Sequence, residues 1–145
     1  MTSHSDFRAN WNYPTNVRFG IGRIAELADA CRALGMKRPI LVTDPGLAGL
    51  AMVREAVQAN GRAGLPTGLF SELQGNPVEK NVLDGVAAFR DGGHDGVIAF
   101  GGGSALDVGK AIALMVGQKR SIFDFEDRED WWTRVDTAGM APVVA

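Results

Sequence analysis

Apolar positions along the 145-residue chain follow two rhythms in turn, and their alternation predicts most of its elements. Residues 1–15 are polar with scattered aromatics (Phe7, Trp11, Tyr13). Val17 and Phe19 then alternate with Arg18 ahead of Gly20 and Gly22, a short half-buried strand and turn. From Arg23, Ile24, Leu27, Ala28, Cys31 and Leu34 recur at helical spacing, with Gly35 as the stop. The unbroken run Pro39-Ile40-Leu41-Val42-Thr43 reads as a strand covered on both faces of a parallel sheet, ending at Asp44. A second helix runs through Leu47, Leu50, Val53 and Val57 and closes at Asn60-Gly61. Leu65 to Phe70 reads as another strand.

Asn76-Pro77-Val78-Glu79 then combines a capping side chain, a proline at the first helical position and an acid three residues after the cap. The helix it starts should turn Val78, Val82, Val86 and Phe89 inward and end at Asp91-Gly92-Gly93. Gly96-Val97-Ile98-Ala99-Phe100 is a further buried strand, followed by three glycines and a helix from about Ser104 to Val116. Phe123 to Arg134 shows neither period and reads as a loop or short helix. Its neighbours Trp131 and Trp132 suit either a domain or subunit contact or packing over the sheet edge. A last strand begins near Val143. The chain stops inside it, so it is expected to be a truncated piece of a longer protein. Strand and helix alternate almost throughout, which predicts an α/β domain: a Rossmann-like parallel sheet with helices on both faces.

Composition narrows the classes of function. Fifteen basic against seventeen acidic residues give a net charge of -2, without the basic excess that a nucleic-acid partner demands. Cys31 is the single cysteine, which excludes an intramolecular disulfide and a cysteine-rich metal site. No signal-like start and no membrane-length apolar run occur, so a cytoplasmic protein with no membrane partner is expected.

The candidate chemistry lies in Phe100-Gly-Gly-Gly-Ser-Ala-Leu-Asp-Val-Gly-Lys110. A strand ending in glycines lets backbone approach a ligand closely, and the next helix points unpaired, partly positive amides at the same place. Outside the carboxyl ends of strands is also where open α/β sheets bind ligands. Gly101, Gly102, Gly103 and Ser104 are thus candidates to cradle a diphosphate. Asp107 needs an offset to sit beside a phosphate, and Lys110, one turn later, can supply it. The stretch is not the strict G-x-G-x-x-G fingerprint. A plain tight turn with a Ser104/Asp107 capping box and a solvated Lys110 fits the spacing too. Ala105, Gly109 and Ala113 leave one helix face nearly bare, suited to close packing on the sheet or close approach of a cofactor.

That stretch resembles the GGGSxxDxAK signature of the iron-containing (group III) alcohol dehydrogenases. Three further segments agree in order and spacing: Phe19-Gly20, Leu41-Val42-Thr43-Asp44-Pro45-Gly46-Leu47 and Asn76-Pro77. The one departure is Gly109 where alanine is usual, which costs helix propensity and removes no functional group. The resemblance implies an NAD(P)-binding N-terminal domain over residues 1–145. It implies that Gly101 to Ser104 hold the pyrophosphate, that Asp107 sits near the nicotinamide end with Lys110 supporting the turn, and that Asn76 lines the cofactor cleft. It places Asp44 on the adenosine ribose. A carboxylate there accepts from a 2′-hydroxyl and repels a 2′-phosphate, favouring NAD over NADP. A turn or capping role for Asp44 before Pro45-Gly46 stays open.

The implied substrate is a small alcohol or aldehyde. Hydride transfer also needs a group to stabilise the alkoxide. No residue here is a candidate for that catalytic role, and His4 and His94 do not read as a paired metal site but as surface histidines. The resemblance implies Fe²⁺ or Zn²⁺ on one aspartate and three histidines of a following helical domain. The alternatives are a stand-alone nucleotide- or phosphate-binding module, or the related glycerol dehydrogenase, maleylacetate reductase and dehydroquinate synthase branch. A homodimer is compatible with all of these.

Overall fold

A computed structural model describes the backbone of residues 8–12 and all of residues 15–145. His4, Phe7, Tyr13 and the Trp11 side chain lie outside those residues. Strands β1 (Arg8–Asn12) and β2 (Asn16–Gly20) pair antiparallel as a separate ribbon, Arg8 opposite Gly20 and Asn12 opposite Asn16. The pattern anticipates only β2, because asparagine at positions 10 and 12 is depleted in strands. β2 is not half-buried as its alternation suggests. Phe19 is 58% exposed, since among the described residues the ribbon joins no larger sheet.

The main sheet is parallel throughout. β3 (Pro39–Thr43), β4 (Gly68–Phe70), β5 (Gly96–Phe100) and β6 (Val143–Val144) lie in the order β4-β3-β5-β6. Every residue of β3 is buried, as are the first four of β5. Both strands occupy the residues that their apolar runs mark, because a strand covered on both faces needs no polar alternation. Side chains from successive positions go to opposite faces. Leu41 and Ile98 join Leu27, Cys31 and Val53 in one core, from α1 (Leu27–Ala33) and α3 (Ala51–Arg62). Ile40, Val42 and Val97 join Val86, Phe89 and Ile112 in the other, from α4 (Glu79–Asp91) and α5 (Gly103–Met115). Helices therefore cover both faces, as the α/β pattern predicts. No helix of the described residues is long and apolar enough to cross a membrane.

Four helix readings are corrected. The first helix opens as a 3-10 turn (Arg23–Glu26) and buries only Leu27 and Cys31; Ile24 and Leu34 are exposed. The second is broken into α2 (Pro45–Ala48) and α3 by extended backbone at Leu50. Asn60-Gly61 does not close α3. Asn60 is buried inside it, donating to Thr67 Oγ1 at 3.2 Å, and the left-handed glycine is Gly64. Asn76 does not cap α4, because its own backbone is left-handed (φ 52). The helix starts after Val78, whose N–H donates to Asn81 Oδ1 at 3.0 Å, and Val78 stays exposed.

His94 is no free surface residue. Its Nδ1 lies 3.0 Å from the Arg38 carbonyl, and its ring fills the space where a Cβ on Gly68 or Gly92 would sit. Gly68 begins β4 and Arg38 directly precedes β3, so His94 braces the amino end of the sheet. There the Asp95 carboxylate also accepts from Lys37 and Arg38 N–H, both at 2.8 Å.

Residues 118–138 form a long excursion before β6, with short 3-10 turns at Ile122–Phe125, Trp131–Arg134 and Thr137–Gly139. Its neck is closed backbone to backbone. A Cβ on Gly117 would fall 2.2 Å from the Gly139 carbonyl oxygen, so neither position has room for a side chain. Gln118 Nε2 donates to the Asp136 carbonyl (2.8 Å), Asp136 N–H returns to Gln118 Oε1 (2.9 Å), and Ala141 N–H donates to the Ala113 carbonyl (2.8 Å). The tryptophan pair divides. Trp131 lies under the Arg134 guanidinium, 3.8 Å from its ring centre, while Trp132 is 74% exposed.

The small-residue face of α5 is a packing face. Ala105, Gly109 and Ala113 are buried, and a Cβ on Gly109 would lie 2.6 Å from Ala99 Cβ on β5. The glycine at this unusual position is thus explained by its strand partner. Gly109→Ala is expected to lower the unfolding free energy by about 1–3 kcal/mol, the usual cost of overpacking, although alanine favours a helix by about 1 kcal/mol. Adding Ala99→Gly should recover most of the loss. Urea unfolding of both single variants and the double variant checks this; a Gly109→Ala chain as stable as the parent shows that α5 can move off β5 freely.

Candidate functional site

Chain order places the site. From β3 the chain passes through α3 to β4 on one side, then crosses back through α4 to β5 on the other. The crossovers on either side of the β3–β5 pair thus lie on opposite faces, leaving a crevice at the carboxyl ends of those two strands. Their pairing ends at Thr43 opposite Phe100. The next residues are Asp44 and Gly101, so two stretches distant in sequence meet at this crevice.

The meeting is a contact. A Cβ built on Gly101 would fall 2.7 Å from Asp44 Oδ2, 3.1 Å from Ala105 Cβ and 3.2 Å from Leu47 Cδ1. Gly101 also has φ +144°, a conformation that side-chain-bearing residues rarely adopt. Gly102 and Gly103 differ. Gly102 has extended backbone (φ -82, ψ -171), Gly103 opens α5, and a Cβ on either would meet nothing within 4 Å. The fold requires the first glycine and leaves open space over the other two, which is the room a ligand needs to reach the backbone.

Gly102 caps α5 by its position, with Leu106 N–H bonding to its carbonyl at 3.0 Å. Ser104 is therefore inside the first turn, and the Ser104/Asp107 capping box does not form. The leading amides of α5 have no partner within the helix and point out of its N-terminus, carrying partial positive charge. Asp44 is half-buried. Its carbonyl accepts from Leu47 and Ala48 N–H, whereas its carboxylate makes no capping hydrogen bond. The side chain is thereby left available to a ligand.

The remaining candidates lie further out. Asp107 is exposed on α5 and helps line a groove of about 400 Å³ with Pro77, Val82, Val108, Phe123 and Phe125. Asn76 immediately precedes Pro77, which lines that groove; it is exposed, and its side chain makes no hydrogen bond among the described residues. Lys110 is exposed and forms no ion pair with Asp107 among the described residues. Three further residues belong to the site without being among its sequence candidates. Leu47 Cδ1 bounds the Gly101 Cβ position at 3.2 Å, as Asp44 Oδ2 does at 2.7 Å, and Phe123 and Phe125 wall the groove from a stretch whose sequence shows neither period. Their one signal is the apolar content of Ile122, Phe123 and Phe125.

Among the described residues, no group of three or more His, Cys, Asp or Glu is arranged to hold a metal ion. Cys31 is wholly buried, and burial pushes its thiol pKa up to about 11, against a smaller opposing effect of a hydrogen bond with Asn60. It is an inert core residue.

The profile of the iron-containing alcohol dehydrogenase family matches residues 14–145. The chain is 32% identical over 133 residues to a 4-hydroxybutyrate dehydrogenase of Cupriavidus necator, covering 92% of this chain and 34% of that protein. Its fold is similar to the crystal structure of a 1,3-propanediol oxidoreductase, with a TM-score of 0.78 and 31% identity over 88% of this chain and 32% of the other. It is also similar to a sulfoacetaldehyde reductase of Bifidobacterium kashiwanohense crystallised with NAD⁺, with a TM-score of 0.68 and 30% identity over 75% of this chain and 28% of that one. The chain thus spans about a third of the length of the curated relatives it matches.

The glycine geometry separates the three positions experimentally. Gly102→Ala and Gly103→Ala should unfold within about 0.5 kcal/mol of the parent, and Gly101→Ala should lose about 1–3 kcal/mol. Urea denaturation measures all three, and equal losses at the three positions would contradict the division.

Proposed function

The chain belongs to the iron-containing alcohol dehydrogenase family, and from that premise we propose that it forms the nucleotide-binding part of a metal-dependent dehydrogenase. The full-length enzyme moves hydride between a small alcohol and the corresponding aldehyde or ketone. The observation that carries this reading is the open space over Gly102 and Gly103 at the N-terminus of α5, beside the uncommitted Asp44 carboxylate. A diphosphate fits that combination: small residues admit it, and unpaired amides with the helix dipole stabilise its charge. A purely structural turn has no need of glycine at either position.

In this reading the backbone of Gly101 to Ser104 and the Ser104 hydroxyl hold the pyrophosphate of NAD. Asp44 accepts from the ribose 2′-hydroxyl and repels a 2′-phosphate, which favours NAD over NADP. Asp107 and Asn76 flank the groove towards the nicotinamide end, and Lys110 adds positive charge further along α5. Bound NAD supplies the hydride acceptor; the chain's own residues bind and orient it. The described residues do not fit a metal site, so no step is assigned to one in this chain. Fe²⁺ or Zn²⁺ belongs, in this proposal, to the portion of the family's length that the chain does not span.

Calorimetric titration with NAD and NADP tests the reading. NAD should bind more tightly, and Asp44→Gly should shrink that preference about tenfold or more, the worth of a hydrogen bond to a charged group. An unchanged preference would take Asp44 off the ribose, and a chain that binds neither nucleotide would end the nucleotide reading. A second assay concerns chemistry. The 145-residue chain supplied with NAD, Fe²⁺ and primary alcohols should form no NADH by absorbance, whereas alcohol-dependent NADH would place the reaction within this chain.

A further inference from the structure

Asp44 is half-buried, yet its carboxylate makes no hydrogen bond or ion pair with the described residues. It lies against the Gly101 backbone. Its Oδ2 occupies the space that a Cβ on Gly101 would approach to 2.7 Å, and Leu47 Cδ1 bounds the same spot at 3.2 Å from that Cβ position. The first turn of α5 adjoins it through Ala105 Cβ, at 3.1 Å, so the carboxylate lies by the positive end of the helix. Gly102 and Gly103 have no such neighbours.

From this arrangement we infer that Gly101 is a positioning residue for cofactor selection: its missing side chain forms the seat that holds the Asp44 carboxylate where the ribose is read. The first glycine of the turn then differs in purpose from the two that follow. They admit the phosphates, whereas Gly101 admits a carboxylate from the neighbouring strand. Leu47 is the second wall of the seat. The phosphate cradle and the ribose reader are consequently one mechanical unit, coupled where β3 and β5 end side by side. The inference rests on the nucleotide-binding reading of the site and adds a cause for its choice of nucleotide.

The test compares the parent, Gly101→Ala, Asp44→Gly and the double variant, with NAD and NADP affinities by calorimetry and urea unfolding alongside. Strain in a backbone at φ +144° weakens both nucleotides alike and cancels from their ratio, as does any loss of folded protein. Gly101→Ala should lower the NAD-to-NADP affinity ratio about tenfold, the effect expected when a charged hydrogen-bond acceptor is displaced. In the Asp44→Gly background, Gly101→Ala should not change the ratio further. A ratio untouched by Gly101→Ala, or lowered by the same factor in both backgrounds, overturns the inference while leaving the nucleotide reading intact. Failure of Asp44→Gly itself to move the ratio overturns the inference together with the placing of Asp44 on the ribose, whereas only a chain that binds neither nucleotide ends the nucleotide reading. Should Gly101→Ala not fold, Leu47→Ala applies the same test from the other wall: a several-fold fall in the ratio supports the seat, and an unchanged ratio removes it.

Discussion

The parallel pairing of β3 with β5 is the constraint on which the remaining structure depends. Both strands are buried on two faces, so their unbroken apolar runs have no alternative partner in water. Their register, from Pro39 opposite Gly96 to Thr43 opposite Phe100, decides which loops meet at each end. At the amino end it brings the Asp95 carboxylate to the Lys37 and Arg38 amides. At the carboxyl end it brings Asp44 to Gly101. A slip of one residue would invert every side chain between the two cores and separate that contact.

Glycine serves opposed purposes in this chain. At Gly109 and Gly117 it removes volume so that protein can touch protein: helix against strand in one case, peptide against peptide in the other. At Gly102 and Gly103 the same absence of a side chain faces open space, which packing does not explain. Sequence motifs cannot make this distinction, because a run of glycines looks the same whether its Cβ positions are filled by the protein or left for a ligand.

Legibility followed locality. The spans of β3 and β5 coincide with the apolar runs that announced them, and the α/β order followed from strand and helix signals a few residues long. Helix ends were less readable, since they depend on single backbone conformations. Asn76 carries a capping side chain but occupies a left-handed turn, so α4 begins beyond it. Asn60-Gly61 looks like a terminus, yet Asn60 is drawn into the core by its bond to Thr67. Exposed apolar residues such as Ile24, Leu34 and Phe19 misled in another way. Periodicity reports where such residues fall on an element, while burial depends on what that element packs against. In the candidate site, the glycine turn and Asp44 were visible as separate local motifs. Their contact, and the part of Leu47 in it, required the β3–β5 register.

The closed neck at Gly117 and Gly139 has a consequence for how chains of this fold can diverge. The excursion between them leaves and rejoins the body at almost one point, pinned by the reciprocal Gln118–Asp136 bonds. Residues inserted or deleted near its tip, around Glu126 to Asp130, therefore change the length of the excursion without shifting β6 along β5. The neck acts as a buffer against indels: the sheet keeps its alignment, while the loop that walls the groove is free to be rebuilt in size and chemistry. The strict positions are the two glycines, because a single methyl group there would pry the neck apart and transmit every change in the loop to the sheet.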